Sequence, residues 1–162
     1  MQLLRLTVLS CFLFALAISF VSCERDGEWK KTQEYVKSGI PMTGAQENPQ
    51  TPSSALGTLD VYYAKNSKTL SYKVTWQGLA DTITGMHIHG VAPSGYSTAI
   101  VQNILTTKNE AVFPFRGGTY SGTLLVDGTV IKEENLLNGM YYLNIHTKVY
   151  PGGEIRGQIK FQ

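Results

Sequence analysis

Cysteine is almost missing from this 162-residue chain: it has two, Cys11 and Cys23. Histidine is hardly more frequent, with His87, His89 and His146 as the full set. Neither sign of charge dominates, at 14 basic against 12 acidic residues. Each shortage excludes something. Two cysteines, one of them inside an apolar N-terminal run, cannot staple a domain, so the fold must be held by burial. A near-neutral chain with no Lys/Arg cluster interleaved with aromatics lacks the electrostatic footprint of a nucleic-acid binder. No G-x-S-x-G elbow or Cys/His nucleophile context occurs, which argues against a hydrolase. The Gly-rich stretches "GGTYSG" and "PGG" precede no helix, so they are not phosphate-cradling loops.

Long hydrophobic runs are also lacking, with one exception. Behind Arg5 stands "LTVLSCFLFALAISFVSC", an apolar stretch ending in small residues, which has the layout of a secretory signal peptide. A membrane-spanning anchor is the other reading of such a run, but this one is barely long enough to cross a bilayer. Its end, "FVSC", resembles a bacterial lipobox, with Phe20 where an aliphatic residue is usual. That resemblance implies lipidation at Cys23 and a protein anchored in the bacterial cell envelope, periplasmic or surface-exposed. An ordinary signal cleaved nearby would instead leave Cys23 as a free thiol. We therefore expect a signal peptide over 1–22, a lipidated and flexible tether over 23–39, and one domain over 40–162. Loss of the signal removes only Arg5 among charged residues and leaves a net charge of +1.

From about Ile40 the texture is short runs rich in Val, Ile, Thr and Tyr, broken by Gly, Pro, Asn and Asp. This predicts an all-β fold, an antiparallel Greek-key β-sandwich of about seven or eight strands, immunoglobulin-like or superoxide-dismutase-like. "ALGTLDVYYA" and "TLSYKVTWQGL" flank the turn-former cluster "KNSK" and read as a hairpin. Trp76 falls in the core or at its rim. The one helical candidate is a short turn in "KEENLLNG", stopped by Asn138 and Gly139.

Strand alternation sorts the histidines. In "TGMHIHG", Met86 and Ile88 share one face, and His87 and His89 the other; in "YYLNIHT", Leu143 and Ile145 oppose Tyr142, Asn144 and His146. With the aliphatic faces inward, all three imidazoles project outward. In "GGEIRGQIKF", Ile155 and Ile159 turn inward while Glu154, Arg156 and Gln158 are displayed, Glu154 on the histidine side. Pairing of these last two strands places His146 opposite Glu154 or Arg156. Three histidines, two at i and i+2, suit Cu or Zn, with Glu154 or a water as a fourth or outer-sphere partner. Alternatively, Glu154 and Arg156 form cross-strand salt bridges and the histidines are surface residues. A pairing of Glu47 with Glu154 for glycosidic chemistry is a weaker reading.

Four blocks carry a resemblance: "GAQE" (Gly44, Ala45, Gln46, Glu47), "HIHG" (87–90), "YLNIHT" (142–147, with Asn144 and Thr147) and "GGEIRGQI" (152–159, with Glu154 and Arg156). In that order they resemble the CHRD (chordin-type) domain over essentially residues 40 to 161. The resemblance implies an extracytoplasmic β-sandwich module and carries over no catalytic residue. "MHIHG" by itself is similar to the copper-ligand strand of copper–zinc superoxide dismutases, but the remaining histidines, the metal-binding Asp and the disulfide of that family have no counterpart here. The expected function is a lipid-anchored extracytoplasmic CHRD module, binding or structural, without catalytic activity. Its partners would be the membrane and a protein or glycan, reached through the loop "VAPSGYSTA" with Tyr96 at its tip. The alternative is a Cu- or Zn-binding envelope protein, open to redox chemistry, using the three histidines.

Overall fold

A computed structural model of the chain describes residues 34–105 and 116–162. The expected signal peptide, Cys23 and residues 23–33 of the expected tether lie outside the described residues. Eight strands account for most of the rest: β1 (Glu34–Thr43), β2 (Leu56–Ala64), β3 (Thr69–Gln77), β4 (Ile83–Gly90), β5 (Ile100–Leu105), β6 (Gly118–Leu125), β7 (Tyr141–Thr147) and β8 (Ile155–Ile159). Among the described residues, a 3-10 turn, Gly44–Gln46, follows β1, and a short helix, α1 (Glu133–Leu137), precedes β7. Asn138 caps that helix and Gly139, at φ 70°, ends it, as the sequence predicts.

The strands form one antiparallel sheet in the order β5-β4-β7-β8-β1-β2-β3-β6. Between β8 and β1 the ladder narrows to one pairing, Thr43 with Arg156, so the sheet bends there into two four-stranded halves around a common core. The Gln102 side chain links the far edges. Gln102 on β5 accepts from the Tyr72 hydroxyl on β3 (3.2 Å) and donates to the Thr123 carbonyl on β6 (3.0 Å). The expected all-β architecture is present, as a continuous, nearly closed sheet. Among the described residues, no helix is long and apolar enough to cross a membrane.

The β2–β3 hairpin shows how sequence becomes structure. Leu59, Val61 and Tyr63 on β2, and Leu70, Tyr72, Val74 and Trp76 on β3, alternate into the core and are at most 4 % exposed. Each large apolar side chain so buried contributes about 1.5–3 kcal/mol before entropy is charged against it. The turn closes through the Lys68 amide donating to the Lys65 carbonyl (3.2 Å). In β4, Ile83 and Met86 both reach the core although they are three apart, because the register shifts between Ile83 and Gly85. That shift leaves Met86 and Ile88 inward and both histidines of the strand on the opposite face, as alternation predicts.

Two expectations change. β1 begins at Glu34 rather than near residue 40, and Tyr35 packs on Tyr63 (ring centroids 6.1 Å) and Phe161 (5.8 Å). The last part of the expected tether is therefore strand, which the mixed charge of "EYVKSG" concealed. The second change is larger. The outer face of β4, β7 and β8 is not displayed: His89, Asn144, Arg156 and Gln158 are all buried. Hydrogen bonds from this face run to the 91–99 loop, at Ala92, Pro93, Tyr96 and Thr98. Alternation assigns a side chain to a face, but whether a loop then covers that face depends on contacts distant in sequence.

Candidate functional site

The paired strands β4 and β7 assemble the histidines. Register sets Gly85 opposite His146, His87 opposite Asn144 and His89 opposite Tyr142, so the three imidazoles and the Asn144 amide crowd one patch. The His87 and His146 rings lie 4.7 Å apart between centroids, His87 and His89 5.7 Å, and His89 and His146 6.2 Å. One nitrogen from each ring falls within 4.8 Å of the others. Gly85 makes room for this: a Cβ there would stand 2.7 Å from the His87 ring carbon Cε1. Nothing in the sequence pattern marks Gly85; the folded position of the His87 ring over it gives it this role.

Backbone carbonyls orient two of the rings. His89 Nδ1 lies 2.9 Å from the Thr98 carbonyl, and His146 Nδ1 lies 2.9 Å from that of Pro151. The Nε2 atoms of both turn toward the Asn144 amide oxygen, at 3.1 and 2.9 Å. The buried Nδ1 of His87 has no hydrogen-bond partner. Burial pushes the His87 imidazole down to about 4, helped by the neighbouring His146 and His89. His89 and His146 are lowered as well, chiefly by burial. All three rings are therefore neutral near pH 7.

A second buried group adjoins them. The Tyr142 ring stacks on His89 at 4.7 Å and 2° and carries the Arg156 guanidinium carbon 3.4 Å from its centroid. Arg156 donates to the Tyr96 carbonyl (2.9 Å), the Pro93 carbonyl (3.4 Å) and the Gln158 side-chain oxygen (2.7 Å). The Gln158 amide in turn donates to the carbonyls of Ala92 and Gly139. Glu47 is 5 % exposed, and burial pushes its carboxyl up to about 7 against the attraction of Arg156 and hydrogen bonds from Asn144 and the Asn48 backbone. Gly153, at φ 126°, leaves space for it, since a Cβ there would collide with the Glu47 carboxylate. Between the "GAQE" block and the 91–99 loop opens a cleft of about 410 Å³, with Glu47, Arg156, Ser94 and Gly95 in its lining.

Glu154 is not part of the histidine patch. It is fully buried, and its carboxylate accepts from the Ser53 hydroxyl (2.7 Å), the Ala80 amide (2.8 Å) and the Thr147 hydroxyl (2.7 Å). This corrects the expectation of Glu154 as a fourth metal partner. Its amide donates to the Ile145 carbonyl (2.7 Å), but its carboxylate goes to the donors of Ser53, Ala80 and Thr147 and not to the histidines. The cross-strand ion pair with Arg156 is absent too, since Arg156 spends its donors on carbonyls and Gln158. Of the remaining signature residues, Gly44 lies buried with its carbonyl accepting from the amides of Glu47 and Thr51, Ala45 is exposed, and Gln46 donates to the Pro41 carbonyl. The "GAQE" block thus shapes the turn that delivers Glu47, while Asn144, in place of Glu154, meets the histidines.

A curled antiparallel sheet with a polar layer buried outside its core defines an all-β module of the sandwich or barrel type. The CHRD domain family matches residues 39–159, and the chain belongs to that family. No curated protein and no solved structure gives a significant match to it.

Proposed function

We propose that the protein is a lipid-anchored, extracytoplasmic binding module of the bacterial cell envelope, held by Cys23 and engaging a protein or glycan partner. The observation that carries the binding role is the cleft between the "GAQE" turn and the 91–99 loop, with Tyr96, 65 % exposed, standing on that loop. An exposed aromatic beside a polar cleft supplies contact area at low entropic cost, and Arg156 and Gln158 hold the loop from beneath. Membership of the CHRD family supports a binding or structural module. The apolar run before Cys23 supports export and lipidation.

The full chain, produced in a bacterial host, is expected to partition into the membrane fraction and to carry a diacylglycerol mass on Cys23. Cys23→Ser should move it to the soluble fraction or leave it uncleaved. Intact-mass measurement showing an unmodified Cys23 in the wild-type protein would remove the anchor from the proposal. Retention of the protein on isolated envelope fragments should fall at least tenfold with Tyr96→Ala while circular dichroism stays unchanged; equal retention would remove the loop.

A further inference from the structure

We propose that His87, His89 and His146 bind one copper or zinc ion, at the point where the Asn144 amide oxygen now sits between two of the rings. This goes beyond the binding-module reading and does not depend on it.

Hydrogen-bond accounting leads there. A backbone carbonyl only accepts, so the Thr98 and Pro151 carbonyls place the ring proton on Nδ1 of His89 and of His146. A neutral imidazole with its proton on Nδ1 offers a lone pair at Nε2. Both lone pairs are aimed at the Asn144 Oδ1, which is itself an acceptor, at 3.1 and 2.9 Å. With the amide oxygen in this orientation no proton lies between these three acceptors, and the buried Nδ1 of His87 adds a further unpartnered nitrogen. Either the Asn144 amide turns its NH2 toward the two rings or a cation takes that point, and the third imidazole, which brings a nitrogen within 4.8 Å of the other two, favours the cation.

The chemistry of the donors selects the ion. Three imidazole nitrogens suit copper and zinc, whereas calcium and magnesium demand oxygen shells. Histidines whose second nitrogen is held by a carbonyl are the usual metal-binding arrangement, because that bond sets tautomer and orientation. In a tetrahedral zinc site with bonds of about 2.0–2.1 Å, ligand nitrogens stand roughly 3.3 Å apart. One nitrogen of each ring now lies within 4.8 Å of the others, so binding requires the side chains to rotate inward. The paired backbones of β4 and β7 stay in place, and the Asn144 amide withdraws, its oxygen able to serve as a fourth ligand at about 2.0–2.2 Å.

The test uses the chelator-stripped full chain, titrated calorimetrically with copper(II) in one arm and zinc in another. One ion per chain is expected in at least one arm, and the arms identify which. X-ray absorption of the loaded wild type should show three imidazoles at about 2.0 Å, a readout that needs no variant. His89→Ala and His146→Ala should each weaken binding at least a hundredfold. Asn144→Asp, which puts a carboxylate at the same point, should tighten it at least tenfold. Absence of stoichiometric binding in both arms overturns the site, as does binding that survives both histidine variants or shows fewer than three imidazoles. Tight wild-type binding that Asn144→Asp does not strengthen overturns the placement of the ion at Asn144.

Discussion

Replacing Arg156 with alanine is expected to destabilise the fold by about 3–5 kcal/mol, the range for removing one member of a buried, hydrogen-bonded charge network. Arg156 is 1 % exposed and, among the described residues, the second-largest fully buried side chain. Three donor bonds and the stacking on Tyr142 offset the cost of burying its charge. Truncation leaves the Gln158 side-chain oxygen without that donor, strips Glu47 of its nearby cation and opens a cavity beneath the 91–99 loop. Lysine keeps the charge but cannot reach Pro93, Tyr96 and Gln158 together, so Arg156→Lys should lose about 2 kcal/mol. Urea unfolding supplies both numbers. Amide exchange across residues 91–99 should quicken in the alanine variant before global unfolding. A change below about 0.5 kcal/mol, the range of an ordinary surface substitution, would show that the loop is held by other means.

Glu47→Gln should make the protein more stable at pH 8 and change little at pH 4. The Glu47 carboxyl is raised from 4.5 to about 7, first by burial, with Arg156 and the bonds from Asn144 and Asn48 opposing. Between those values the folded chain holds a proton that the unfolded chain has released. Stability therefore falls as pH rises through that window, by about 3 kcal/mol at full ionisation. Glutamine mimics the protonated acid and removes the loss. The histidines titrate in the opposite sense over part of the same range, because their lowered values cost stability as pH falls. They are common to both chains and cancel in the difference. Thermal unfolding of the two proteins from pH 4 to pH 8 should show their stabilities diverging; a constant gap would mean that Glu47 is hydrated and ordinary.

The fold was legible because its signals are local. Alternation in "LGTLDVYY" and "TLSYKVTW", a turn cluster between them, and Gly139 after a short helix each act within a few residues. Met86 and Ile88 point inward, as read, because a period of two needs no knowledge of the partner strand. The start of β1 was missed because "EYVKSG" carries weak apolar alternation, and its strand character comes from Tyr35 settling between Tyr63 and Phe161.

The candidate site divides in the same way. That two histidines share a face of β4, and that His146 shares a face with Asn144 on β7, follows from the amino-acid sequence alone. So do the four blocks that mark the CHRD family and the apolar run before Cys23. Only the tertiary structure decides that β4 and β7 are neighbours and that Asn144 stands between His89 and His146. Folding likewise turns Glu154 away toward Ser53, Ala80 and Thr147, and draws the 91–99 loop over a face that alternation would leave in water. The physical reason is range. Backbone geometry assigns faces within a strand, whereas burial and partner choice are set by contacts far apart in the chain, such as His89 with Asn144, 55 positions apart, and Ser53 with Glu154, 101 apart.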